Sequence, residues 1–128
     1  MAEKKKILLV DDSEVDLLFA KNMLSDEYEV ITAKSGKEAL NHLINKLVPD
    51  LLLLDILMPE MDGWETYNKI KGISLLRDVP IAFVTSVTET TEEKKAFNMG
   101  ADDYIKKPYT QSELLERVKT LLEKRRTN

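Results

Sequence analysis

The sequence predicts an α/β fold, a doubly wound (βα)5 parallel sheet of five strands, from three observations. Five strand-sized apolar runs recur along the 128 residues, each is followed by a longer polar-apolar segment, and each such segment opens with a helix-start signal. Parallel neighbours need crossover connections, and crossovers of one hand lay helices over both faces of the sheet.

The first run is "ILLV", Ile7 to Val10, continuously apolar as parallel strands are when covered on both faces. It ends in Asp11 and Asp12, and Ser13 with Asp16 three residues on marks a helix start, because a serine hydroxyl can accept from an otherwise unpaired amide of the first turn. The second run, "YEVITA" from Tyr28 to Ala33, is followed by the pair Ser35 and Glu38. The third, "LLLL" from Leu51 to Leu54, follows Pro49 and stops abruptly at Asp55. Asp62 and Glu65 then open a helix that Gly72 follows. The fourth, "IAFV" from Ile81 to Val84, comes after Pro80 and leads into Thr85 and Ser86. Thr90 with Glu93 is its helix-start pair, and Gly100 its stop. The fifth, "DYI" from Asp103 to Ile105, ends in Lys106 and Lys107. Thr110 and Glu113 open a last helix whose stripe of Leu114, Leu115, Val118, Leu121 and Leu122 suits core packing.

Five such units make one domain, expected over residues 1–128 with an ordered core over 5–125, and 43% apolar residues suffice for a single core. Absence of cysteine excludes disulfides and thiolate metal sites and points to the cytoplasm. The apolar run at Ile7 to Val10 is too short for a signal core or a membrane span. A net charge of −4 argues against direct binding of nucleic acid, which needs a clustered positive field. His42 and Trp64 read as surface or packing residues, and Lys4 to Lys6 as a solvated tail.

In doubly wound sheets the ligand site lies at the carboxyl ends of the strands. That edge gathers Asp11, Asp12, Asp55, Thr85, Ser86, Lys106 and Lys107. Crowded carboxylates repel by roughly 1 to 4 kcal/mol per pair at about 4 Å and call for a cation. Oxygen ligands alone favour a hard ion such as Mg2+, which also binds phosphate oxygens. A carboxylate can itself be a nucleophile that becomes an aspartyl phosphate, with lysine and threonine as partners for the phosphoryl oxygens.

The stretches "LLVDDS" (8–13), "LLLLDILMPEMDG" (51–63), "FVTS" (83–86) and "MGADDYIKKP" (99–108) resemble the receiver domain of two-component response regulators over essentially the whole chain. The resemblance implies the flavodoxin-like, CheY-like strand order 2-1-3-4-5. It makes Asp55 the phosphoacceptor, Asp12 a direct ligand of Mg2+, Asp11 a ligand directly or through water, and the backbone carbonyl of Leu57 a further ligand. Lys107 would contact the phosphoryl group, Thr85 would bond to it after transfer, and Tyr104 would turn inward as the second switch residue. A cis bond is expected between Lys107 and Pro108.

The implied function is a switch and not an enzyme acting on a free substrate. It would be phosphorylated by a sensor histidine kinase or phosphotransfer protein and read by a downstream protein, a fused output domain or a second copy. The surface read would be the fourth helix, fifth strand and fifth helix. The fourth helix offers few large apolar anchors beyond Phe97 and Met99, so it is expected to shift easily. The resemblance also implies that the positions two residues beyond Asp55 and Thr85 flank the path of the hydrolytic water; they hold Leu57 and Val87, which cannot orient it, so a long-lived phosphorylated form is expected. A flavin or nucleotide binder on the same fold is the alternative. It needs a phosphate-binding loop after the first strand, where this chain has "DDSEVD". An aspartate-based phosphatase would need an acid where Leu57 stands.

Overall fold

The computed structural model describes residues 3–126, so the outermost residues of the expected 1–128 domain lie outside it. Five strands, β1 (Lys6–Val10), β2 (Glu29–Ala33), β3 (Leu51–Leu54), β4 (Ile81–Thr85) and β5 (Asp103–Lys106), alternate with five α-helices. The helices are α1 (Glu14–Leu24), α2 (Gly36–Ile44), α3 (Gly63–Lys71), α4 (Thr90–Met99) and α5 (Gln111–Arg126). The sheet is parallel throughout and its order is β2-β1-β3-β4-β5.

The two-residue period of a strand sorts the core into two layers. Leu8, Val10, Leu52, Leu54, Ile81 and Phe83 face one side, where they pack with Ala39, Leu43, Tyr67 and Ile70 of α2 and α3. Ile7, Leu9, Leu51, Leu53, Ala82 and Val84 face the other, against Leu17, Ala20 and Leu24 of α1 and Leu114, Val118 and Leu121 of α5. All four leucines of β3 are fully buried, which is why that run has no polar alternation. β2, at the sheet edge, is only half-buried.

Four of the five anticipated helix starts carry the expected cap. The Asp16 amide donates to Ser13 Oγ, the Glu38 amide to Ser35 Oγ, the Glu65 amide to Asp62 Oδ1 and the Glu113 amide to Thr110 Oγ1. Glu38 and Glu113 return bonds to the amides of Lys34 and Thr110. The fifth expectation fails: α4 is capped at Glu89 without a side-chain bond, and Thr90 is already helical. The sequence offers serial Thr and Glu residues here in more than one usable register, and the backbone carbonyl of Glu89 takes the Glu92 and Glu93 amides. Nor is Phe97 an anchor of α4. It is 46% exposed, and Ala96 is the residue of that helix that is buried.

Gly100 ends α4 at φ +106°, and the Ala101 amide reaches back to the Ala96 carbonyl, closing a turn that favours glycine. A short 3-10 turn at Ser74–Leu76, which the apolar pattern does not anticipate, buries Leu76 beneath the α3–β4 connection. No described helix is long and apolar enough to cross a membrane.

Candidate functional site

Three site residues are placed by the sheet ladder itself, which runs one step past the strands. The Asp11 amide donates to Ala33 O, the Asp55 amide to Val10 O and the Lys107 amide to Thr85 O, at 3.0, 2.9 and 2.9 Å. Each side chain therefore stands just past the end of β1, β3 or β5, at one edge of the sheet. The Lys107–Pro108 peptide bond is cis.

The loops lock two of the carboxylates. Asp11 Oδ1 accepts from the Ser13 amide at 2.9 Å, and Asp55 Oδ1 from the Ile56 amide at 2.7 Å. The loop after β3 folds back so that the Gly63 amide donates to the Ile56 carbonyl at 2.7 Å, bringing the start of α3 onto the backbone of Asp55. A Cβ on Gly63 would lie 2.2 Å from the Asp55 carbonyl oxygen, so this approach needs glycine.

Lys107 unites the cluster. Its Nζ donates to Asp11 Oδ2 at 2.6 Å, to Asp16 Oδ2 at 2.7 Å and to Asp55 Oδ2 at 3.3 Å. Burial raises the pKa of Asp11 above the usual carboxylate value, partly offset by the bonds from Lys107 and the Ser13 amide. Burial alone would lower the Lys107 pKa, but its bonds to Asp11 and Asp16 and the charge of Asp55 outweigh that and raise it, so the ammonium stays charged.

Oxygen atoms of Asp11, Asp12 and Asp55 come within 4.8 Å of one another. Asp11 and Asp55 are buried and Asp12 is exposed. A donor set of carboxylates without histidine or cysteine suits a hard divalent cation, and the open Asp12 side leaves room for water or phosphate oxygens. Asp12 and Leu57 line the same shallow groove, with Met58, Pro59 and Asp62.

Thr85 is fully buried, and its Oγ1 accepts from the Val87 amide at 3.2 Å. Tyr104, expected to turn inward on phosphorylation, already stands inward without a phosphoryl group: it is 3% exposed and donates its hydroxyl to the Val87 carbonyl at 2.6 Å. The β4–α4 loop is thus gripped at one residue by both switch candidates. Ser86 is exposed, and His42 lies on α2 away from these residues.

The structure therefore brings Asp11, Asp12, Asp55 and Lys107 together, and Thr85 and Tyr104 at Val87. Sequence reasoning missed Asp16, whose proximity to Ser13 suggests only a cap. The signal available was its spacing, five residues after Asp11 and one turn into α1, on the side that faces the sheet edge. It also missed the shared hold on Val87, because a backbone anchor has no residue-type signature.

Comparison with known proteins bears on the site. The sequence pattern of the family described as response regulator receiver domain matches residues 7–119. A probable transcriptional regulator ycf27 of Guillardia theta is 37% identical over 98% of this chain and 47% of its own length. A probable cyclic di-GMP phosphodiesterase of Vibrio cholerae is 40% identical over 94% of this chain and 27% of its own length. The chain thus spans less than half the length of these curated relatives. Among solved structures, the chemotaxis protein CheY4 of Vibrio cholerae superposes with a TM-score of 0.86 at 30% identity, covering 93% of this chain and 99% of that one. A CheY-like receiver domain protein of Methanospirillum hungatei gives 0.88 at 32% identity, covering 98% of both chains.

Proposed function

This chain belongs to the response regulator receiver-domain family, and we propose that it is a phosphorylation switch of a two-component system, working in the cytoplasm. Asp55 accepts a phosphoryl group from a sensor histidine kinase or a phosphotransfer protein, with Mg2+ as cofactor. A downstream protein, a fused output domain or a second copy then reads the change on the α4–β5–α5 surface. The chain modifies itself and turns over no free substrate.

The observation that carries this reading is the Lys107 ammonium bonded to both Asp11 and Asp55, in the corner where Asp12 completes a three-carboxylate cluster. An Asp55 oxygen forms the new O–P bond as the donor's P–N bond to imidazole breaks, and the imidazole leaves with the electron pair. The Ile56 amide fixes the carboxylate rotamer for that attack. Mg2+, held by Asp11, Asp12, Asp55 and the Leu57 carbonyl, would supply charge neutralisation of the phosphoryl oxygens. Lys107 adds a fixed positive charge beside them.

After transfer, the Thr85 hydroxyl turns to the phosphoryl oxygens and gives up the Val87 amide. Because Tyr104 holds the other polar group of Val87, the loop and the start of α4 move with it. Thr85→Ala should accept phosphate yet lose most of that motion.

Incubation with a small acyl phosphate and Mg2+ should add one phosphoryl group by intact-mass analysis, and Asp55→Asn should abolish the gain. The same gain in that variant would mean that Asp55 is not the acceptor.

A further inference from the structure

The Lys107 ammonium has three N–H bonds to give, and in this structure three carboxylates take them. The phosphoacceptor reading accounts for Asp11 and Asp55. It does not account for Asp16, which receives one of the two short bonds. An acid in the first turn of α1 would be explained by the helix dipole, but that needs no bond from a lysine 91 residues away. Nor does the helix start depend on this carboxylate, since Ser13 takes the amide of Asp16 and leaves its side chain unused.

We infer that Asp16 is a positioning residue for Lys107: it holds the ammonium on the α1 side of the pocket at rest and releases it when Asp55 carries a phosphoryl group. This rests on the phosphoacceptor reading of Asp55. The distances show where Lys107 sits at rest, 2.6 and 2.7 Å from Asp11 and Asp16 but 3.3 Å from Asp55. A phosphoryl group on Asp55 presents new anionic oxygens, and Lys107 reaches them by giving up a neighbour.

Asp16 is the neighbour it can leave. The Asp11 side chain is 7% exposed and the Asp16 side chain 40% exposed, so water resolvates a released Asp16 and cannot do so for Asp11. Asp16 also stands outside the group of carboxylates that can share a cation. A cation that engages Asp11 therefore leaves Asp16 as the chief rival of the phosphoryl oxygens for Lys107.

The test is calorimetric titration of the intact chain with beryllofluoride, a phosphoryl mimic, in the presence of Mg2+. Asp16→Asn should bind about fivefold more tightly than the parent, the scale of a partly exposed ion pair. Glu14→Gln removes a charge from the same helix turn, where Glu14 pairs with Lys34 and not with Lys107, and should change binding by less than about twofold. Unchanged or weaker binding by Asp16→Asn would overturn the inference, as would an equal gain in Glu14→Gln, which would reduce the effect to overall charge. Asp55→Asn must lose binding. If it binds as the parent does, the phosphoacceptor reading fails and the inference with it, whereas a failure confined to Asp16→Asn leaves that reading intact.

Discussion

The hydroxyl of Tyr104 donates a 2.6 Å hydrogen bond to the carbonyl of Val87, across the gap between β5 and the β4–α4 loop. Burial raises its pKa to about 12, with Glu92, Glu93 and Glu89 adding to the effect. The folded chain therefore keeps a proton that the unfolded chain releases near pH 10. The stability from this group is complete below about pH 10 and falls as the pH climbs towards 12. Tyr104→Phe should cost about 1 kcal/mol at neutral pH, by leaving the Val87 carbonyl without its partner, and should flatten part of the alkaline fall. Tyr28, Tyr67 and Tyr109, also raised by burial, keep the remainder. Urea melts at neutral and alkaline pH measure both effects, and an equally steep fall in the variant would exclude Tyr104 as a source.

Repulsion among Asp11, Asp12 and Asp55 is relieved in part by Lys107 and should be relieved further by Mg2+. At ten times its dissociation constant the ion should add about 1.4 kcal/mol of stability. Asp12→Ala should lose most of that gain while keeping the fold, because Asp12 is exposed. Thermal melts with and without Mg2+ decide the matter, and a parent chain indifferent to the ion would count against the cluster as a metal site.

Leu57 is 60% exposed beside the pocket, and Val87 packs partly against the core. Neither side chain has a polar group with which to align water against an acyl phosphate. Polar replacements, Leu57→Asn with Val87→Gln, should shorten the life of the phosphorylated form several-fold, about tenfold if their amides together hold a water in line by a hydrogen bond of ordinary strength. Decay followed by intact mass tests this, and slower loss of phosphate in the variant would contradict it.

Gly63→Ala puts a Cβ 2.2 Å from the Asp55 carbonyl oxygen and 2.6 Å from Ile56 Cα. Both are backbone atoms that no rotamer change can move. The start of α3 must then lift from β3, at a cost of about 1–3 kcal/mol. The Mg2+-dependent gain in stability should fall with it, since the same displacement shifts Asp55. A variant that melts like the parent would show that the loop yields more easily than its hydrogen bond implies.

Much of this architecture was legible because local and tertiary requirements coincide. The leucines of β3 announce burial on both faces, and Ser13, Ser35, Asp62 and Thr110 cap helices where a cap residue precedes an acid by three. Asp11, Asp12, Asp55 and Lys107 could be gathered from topology alone, because every parallel strand delivers its carboxyl end to the same edge. Legibility fails where packing decides between equivalent local signals. Thr90 matches the capping pattern as well as Ser35 does, yet the helix begins one residue earlier than that pattern needs, with the Glu89 carbonyl taking the amides of the first turn. Phe97 is the largest apolar side chain of α4 and is still 46% exposed, because the face that α4 turns to the core carries Ala96, one residue and about 100° of helix away. Asp16 escaped notice because its partner is 91 residues away and reaches it through the curl of the chain after β5.

Trp64 is the only tryptophan of the chain. Its ring centroid lies 4.9 Å from that of Phe83 on β4, and the Lys95 ammonium of α4 sits 4.3 Å above it. Indole emission responds to a cation on its face, so the molecule carries a built-in optical probe at the junction of α3, β4 and α4. Sliding of α4 by a fraction of a helical turn would carry Lys95 off the ring and alter fluorescence intensity and wavelength. The kinetics of the switch can then be followed by stopped flow in the unlabelled protein, through the contact between α3 and α4 that Lys95 makes on the indole.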